Sequence, residues 1–192
     1  WNCISVVEAL AQGKQPVNPI VYMAYSPILK IYVGTNGTST LNVKYSQDRI
    51  TWKTSYTEIS TGGKIIWVDE FQKFYIRTTS NILSSTNGIN WSVTSQASPS
   101  YTANPIVYAP GVIVSDSVYS TDGSTWHSNS TEFYAIVYSK QLGLFVASSS
   151  DPFSAHPIQY SYNGQTWLTS GINLPLSGPR RSEEHTSELQ SR

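Results

Sequence analysis

Residues 119–126 read YSTDGSTW, and close copies stand at three other places: YSQDRITW at 45–52, SSTNGINW at 84–91 and YSYNGQTW at 160–167. Each copy joins a short polar turn to a tryptophan. Asp and Asn favour such turns because their side-chain oxygen accepts nearby backbone N–H groups. Glycine follows because it reaches a positive φ without steric cost. The four tryptophans, Trp52, Trp91, Trp126 and Trp167, are spaced 39, 35 and 41 residues apart. A fixed period of about 40 residues is the sequence sign of a repeat architecture.

The text between the tryptophans has a common grammar. A mostly apolar strand comes first, at 19–25, 64–70, 105–110 and 135–140. A second follows at 28–34, 74–79, 111–116 and 143–149. A shorter third strand enters each turn, and a fourth leaves through the tryptophan. Four short strands per repeat predict an all-β chain: a partial β-propeller of about four four-stranded antiparallel blades. The blades are expected at about 18–57, 58–97, 98–131 and 132–172. The first strand, nearly all apolar, is expected to be the one buried on both faces. The turn sets the register, and the indole is expected to fill the gap between neighbouring sheets. Arg49 stands where the other copies have glycine, so a distorted hairpin is expected in the first blade.

These four stretches resemble the Asp-box, or bacterial neuraminidase repeat, pattern Ser-x-Asp-x-Gly-x-Thr-Trp. The family belongs with sialidase-like, sortilin-like and photosystem-assembly-factor-like propellers. The residues carrying the resemblance are Ser46, Asp48, Thr51 and Trp52; Ser85, Asn87, Gly88 and Trp91; Ser120, Asp122, Gly123, Thr125 and Trp126; and Ser161, Asn163, Gly164, Thr166 and Trp167. The resemblance implies a structural role for all of them, at the outer edge of the blades. It further implies that Trp1 closes an earlier box, with 1–17 the remnant of a preceding blade and further blades in a longer chain.

Residues 181–191, RSEEHTSELQS, break the pattern, with three acids in eleven residues. They resemble the read-through translation of a sequencing-library adapter, matching it at every position. Residues 180–192 are therefore read as a non-native, disordered tail and set aside from the fold.

Composition narrows the function. Charged residues make up 12% of the 192 residues and the formal net charge is zero. That is about half the usual charged share, and it gives no electrostatic footprint for nucleic acid. No apolar run approaches the ~20 residues that span a bilayer. Cys3 is the only cysteine, so no disulfide forms within the chain. His127 and His156 have no partner at metal-ligand spacing, and neither metal nor cofactor is expected.

The enzymatic alternative is a sialidase-like hydrolase. That resemblance implies three arginines converging on the substrate carboxylate, which guanidinium groups bind in bidentate fashion. Before residue 181 the chain has Arg49, Arg77 and Arg180. Arg49 sits in an outer turn and Arg180 at the start of the tail, so no triad is expected. Asp69 and Glu70 are a carboxylate pair near one end of the hub, but neighbours on a strand point to opposite faces. They read as a solvated hairpin tip. The thirteen tyrosines suit sugar stacking or packing between blades. Tyr22, Trp67, Tyr108 and Tyr138 recur at one place in the first strand, which favours packing. Asn36, Asn90 and Asn129 begin glycosylation triplets, with Asn90 expected to be poorly accessible beside Trp91.

The expected function is a non-catalytic binding or structural module of a surface, secreted, phage or large-virus protein, with a glycan or protein as partner. The alternative is a piece of a propeller glycoside hydrolase whose catalytic residues lie elsewhere.

Overall fold

The computed structural model describes residues 20–36, 40–58, 60, 62–96, 105–116, 118–129, 132–149 and 156–174. The expected blade remnant at 1–17 and the tail at 180–192 lie outside the described residues.

Among the described residues, sixteen strands form four separate antiparallel sheets, each taken in sequence order. The first sheet holds β1 (Tyr22–Ser26), β2 (Ile31–Thr35), β3 (Leu41–Ser46) and β4 (Lys53–Glu58). The second holds β5 (Gly62–Val68), β6 (Lys73–Thr78), β7 (Asn81–Ser85) and β8 (Ser92–Gln96). The third holds β9 (Ile106–Ala109), β10 (Val112–Ser115), β11 (Val118–Ser120) and β12 (His127–Ser128). The fourth holds β13 (Phe133–Ser139), β14 (Leu144–Ser149), β15 (His156–Ser161) and β16 (Leu168–Leu174). The first strands pack in series, β1 on β5, β5 on β9 and β9 on β13. They form the inner side of an arc, and the fold is a partial β-propeller of four blades.

Three apolar clusters fill the seams between blades. Ile31, Val33, Leu41 and Val43 meet Ile65, Phe74, Ile76 and Leu83 at the first seam. Val68, Tyr75 and Ile82 meet Ile106, Ile113 and Val118 at the second. Ala109, Val112 and Val114 meet Phe133, Ile136, Phe145 and Ala147 at the third. Each fully buried side chain of this size contributes roughly 1.5–3 kcal/mol. Trp91, Trp126 and Trp167 pack against these clusters in turn. Trp52 belongs to none of them; its indole N–H instead donates to the Arg49 carbonyl at 3.0 Å.

The most buried strand differs from the expectation. The second strands β2, β6 and β10 are almost wholly buried, whereas β1 and β13 each keep exposed residues. In β6 and β10 the strand has sheet on both sides and a described blade on each face. A first strand borders the hub, so Met23 and Val137 stay exposed despite being apolar. The tryptophans also precede the fourth strands rather than lying in them, each strand starting one residue later.

Candidate functional site

Alternation of hairpins places the turns after the first and third strands at one end of every blade. That end carries the four Asp-box-like loops, and their geometry is uniform. In the third blade the Ser120 hydroxyl donates to Asp122 Oδ1 (3.1 Å) and accepts the Gly123 N–H (3.0 Å). Asp122 Oδ1 accepts the N–H groups of Ser124 (2.8 Å) and Thr125 (2.6 Å). Ser161 and Asn163 repeat the pattern with Gly164, Gln165 and Thr166. Ser85 and Asn87 repeat it with Gly88, Ile89 and Asn90. The loop needs only a backbone N–H at the threonine position, which is why Asn90 serves there.

The first blade keeps the same cradle. Arg49 has a φ of 66°, and its N–H reaches Ser46 Oγ at 2.8 Å, while Asp48 accepts from Ile50 and Thr51. The expected distortion is not present. Gly88, Gly123 and Gly164 combine positive φ with contact to the preceding blade: a Cβ on Gly88 would meet Val33, and one on Gly164 would meet Val114. Arg49 meets only the left-handed backbone requirement, and its guanidinium lies 5.4 Å from the centre of the Tyr32 ring in its own blade.

The same end of the arc carries one aromatic residue per first strand. Tyr32, Phe74, Ile113 and Phe145 hold equivalent places, each paired with the box serine of its blade. Their first-strand partners are Tyr25, Trp67, Tyr108 and Tyr138. The row thus begins with Tyr25 and not Tyr22, which lies three residues away and pairs with Thr35. The shared Pro-Ile-Val-Tyr wording at 19–22 and 105–108 suggested the wrong alignment.

Asp69 and Glu70 sit in the β5–β6 turn and do not face one cleft as a pair. Asp69 accepts the Trp67 indole N–H at 2.6 Å. Glu70 crosses to the next blade, accepting the Tyr108 hydroxyl at 2.6 Å and the Gly111 N–H at 3.1 Å. Those two donors hold the Glu70 carboxyl below its usual pKa. Partial burial and then the bond to Glu70 push Tyr108 up to about 12. The backbone N–H groups of Thr51 and Ile50 lower Asp48 to about 2, and those of Thr125 and Ser124 hold Asp122 well below the carboxylate range.

Arg77 is at the opposite end of the seam between the second and third blades. Its Nε and Nη2 donate to Asp116 Oδ1 (3.0 Å) and Oδ2 (2.7 Å). Both side chains are buried. A bidentate pair suits guanidinium and carboxylate geometry. The pair is not legible in the sequence; in the strand register Arg77 and Asp116 each follow the box-paired residue of the second strand by three positions. Thr35 holds the equivalent place in the first blade, and its hydroxyl donates across the seam to the Gly63 carbonyl.

Of the glycosylation triplets, Asn36 is buried and tied into its own turn, accepting the Asn42 N–H and donating to the Thr40 carbonyl. Asn90, expected to be shielded, is exposed. A cavity of about 300 Å³ opens between the third and fourth blades, at the end carrying the boxes. No cluster of three His, Cys, Asp or Glu side chains suited to a metal ion occurs among the described residues, and no helix there is long and apolar enough to cross a membrane.

Blades, hub order and seams define the class: a β-propeller segment. Solved structures agree at the level of fold. The computationally designed Ika4 protein is 13% identical with a TM-score of 0.50, covering 78% of this chain and 94% of its own. An ancestral GH74 enzyme is 14% identical with a TM-score of 0.52, covering 80% of this chain. A puromycin hydrolase is 10% identical with a TM-score of 0.51, covering 88%. The chain spans 25% and 29% of the lengths of those two enzymes. No family model and no curated protein matches the sequence.

Proposed function

We propose that the chain is part of an Asp-box propeller acting as a non-catalytic binding or structural module, with a glycan or protein as its partner. In this reading the blades run approximately 18–57, 58–97, 98–131 and 132–172, and the box residues are scaffold. The observation that carries it is how the polar side chains are engaged. Asp48, Asn87, Asp122 and Asn163 each accept backbone N–H groups of their own turn. Glu70 clamps the next blade, and Arg77 is committed to Asp116. A glycosidic general acid needs a raised pKa, whereas Asp48, Glu70 and Asp122 are all lowered.

The test is a glycan array and a panel of fluorogenic glycosides, both run on the 192-residue chain. Binding without turnover is the expected outcome for a glycan partner. Glycan silence with capture of a defined protein ligand fits the other branch. Turnover that survives purification to constant specific activity would overturn the proposal.

A further inference from the structure

The turns between first and second strands differ in length, and the difference leaves a cavity. In the first, second and fourth blades these turns occupy residues 27–30, 69–72 and 140–143; in the third only Pro110 and Gly111 separate the strands. The longer turns share one device. Each places an apolar residue third, Leu29, Phe71 or Leu142, and the first two pack on the seam with the next blade. Leu29 packs on the first seam cluster and Phe71 on the second. Phe71 lies over the box turn at Gly123 and 6.3 Å, edge-on, from the ring of Tyr108. Leu142 has no described blade beyond it and is 67% exposed.

The third blade lacks this plug, because Gly111 has no side chain and a Cβ built on it would meet nothing within 4 Å. The place that Phe71 fills at the second seam is, at the third, the cavity of about 300 Å³. Tyr138 and the box turn at Asn163 and Gln165 stand there as Tyr108 and the box turn at Gly123 stand around Phe71. Ala109, Pro110, Gly111 and Val112 of the third blade and Phe145 of the fourth form an apolar side, and Tyr138, Tyr162, Asn163 and Gln165 form the other. Tyr162 is 71% exposed at the rim. Asn163 uses Oδ1 for its own turn, so its NH₂ group is left to donate. Among the described residues, no Asp, Glu, Lys, Arg or His lines the space.

We infer that this unplugged seam is a binding site for one neutral pyranose residue of a glycan. The inference rests on the binding-module reading and names the ligand class. The cavity volume is at the low end of ligand pockets, which run from about 300 Å³ upwards, so it suits a single ring. Tyrosine rings offer apolar faces to the C–H face of a sugar, with hydroxyls at their tips. Side-chain amides both donate and accept, as hydroxyl groups require. A charged sugar would find no counter-charge and would lose hydration without compensation.

The test is an NMR titration of the full chain, with labelled backbone amides and tyrosine rings. The probes are the methyl pyranosides of glucose and galactose, N-acetylglucosamine, sialyllactose and phenol. At least one neutral pyranoside should shift Gly111, Tyr138, Tyr162 and Gln165. Tyr162→Ala should weaken binding about tenfold. Replacing Pro110-Gly111 by the turn of residues 69–72, which carries the Phe71 plug, should abolish binding while circular dichroism shows the chain still folded. Gln165→Ala, at an exposed position, gives a second variant that tests contact without touching the core. Response to phenol alone, to sialyllactose as strongly as to neutral sugars, or to no probe overturns the inference. Sugar binding that persists in the plugged variant also overturns it, but leaves the module reading standing. Sugar turnover that the plug leaves intact overturns the module reading instead.

Discussion

At the residue scale, the box turns show one backbone task done by two side chains of different charge. Asp48 and Asp122 accept the same N–H groups that Asn87 and Asn163 accept. Only the aspartates couple that task to pH. A carboxylate whose pKa is depressed in the folded state contributes stability that is present above its unfolded value and lost as pH falls through the folded value. For Asp48 the window runs from its ordinary 3.8 down to about 2; Asp122 is lowered further, for the same reason. Thermal unfolding followed by circular dichroism should therefore show a melting temperature that drops between about pH 4 and pH 2. The double variant Asp48→Asn, Asp122→Asn should flatten that drop and leave the neutral-pH melting temperature nearly unchanged. Glycine is less replaceable. Gly164→Ala asks a Cβ to sit in left-handed backbone at about 1–2 kcal/mol and drives it into Val114. It should lower stability by about 2–3 kcal/mol in chemical denaturation. Arg49→Gly, with no described blade against it, should change stability by less than about 1 kcal/mol.

At the element scale, the second strands carry the seams, and the Arg77–Asp116 pair is their one fully buried ion pair among the described residues. Removing one partner leaves a buried charge alone and typically costs about 3–5 kcal/mol, whereas replacing both with apolar groups is often close to neutral. Arg77→Met alone should thus be severely destabilising in urea melts, and Arg77→Met with Asp116→Leu should recover most of the loss. A double variant no more stable than the single one would show that the pair is worth more than apolar packing there. The strands, their number and the turn positions were legible in the sequence, because the box repeats and its glycine and tryptophan are read without tertiary information. Burial rank was not. Apolar content made 19–25 look the most buried strand, yet Met23 faces away from the sheets next to the hub. Only position in the sheet decides that. The Arg77–Asp116 pair needed the inter-blade register, since the partners are 39 residues apart. The cavity was legible in principle: the Pro110-Gly111 turn is visibly shorter than DEFQ at 69–72, but a short turn becomes a hole only when the longer ones are seen to hold plugs.

At the scale of the whole molecule, the blades touch in series, each seam having its own apolar cluster. Stability in such an array is close to a sum of blade and nearest-neighbour contributions, and cooperativity depends on the weakest seam. The middle seam joins the two halves, and it holds Tyr75, which is fully buried, donates its hydroxyl to the Gly123 carbonyl at 2.9 Å and meets Trp126 edge-on at 6.1 Å. Tyr75→Ala removes the ring, the hydrogen bond and the aromatic contact together, at a cost of about 3–5 kcal/mol. Most of that cost falls on coupling between the second and third blades, not on either blade's own sheet. Calorimetry on the variant should show the unfolding peak split or broaden, with the calorimetric enthalpy exceeding the van't Hoff value. Hydrogen exchange should show protection lost first in β9 and β10 relative to β2, since the first seam keeps Phe74, Val33 and Ile65. Trp52→Ala is the control: its indole is in no seam cluster, so the same measurements should move little. If instead the Tyr75 variant melts in one sharp transition lowered as a whole, the four blades fold as an indivisible unit and seam-by-seam additivity fails for this arc.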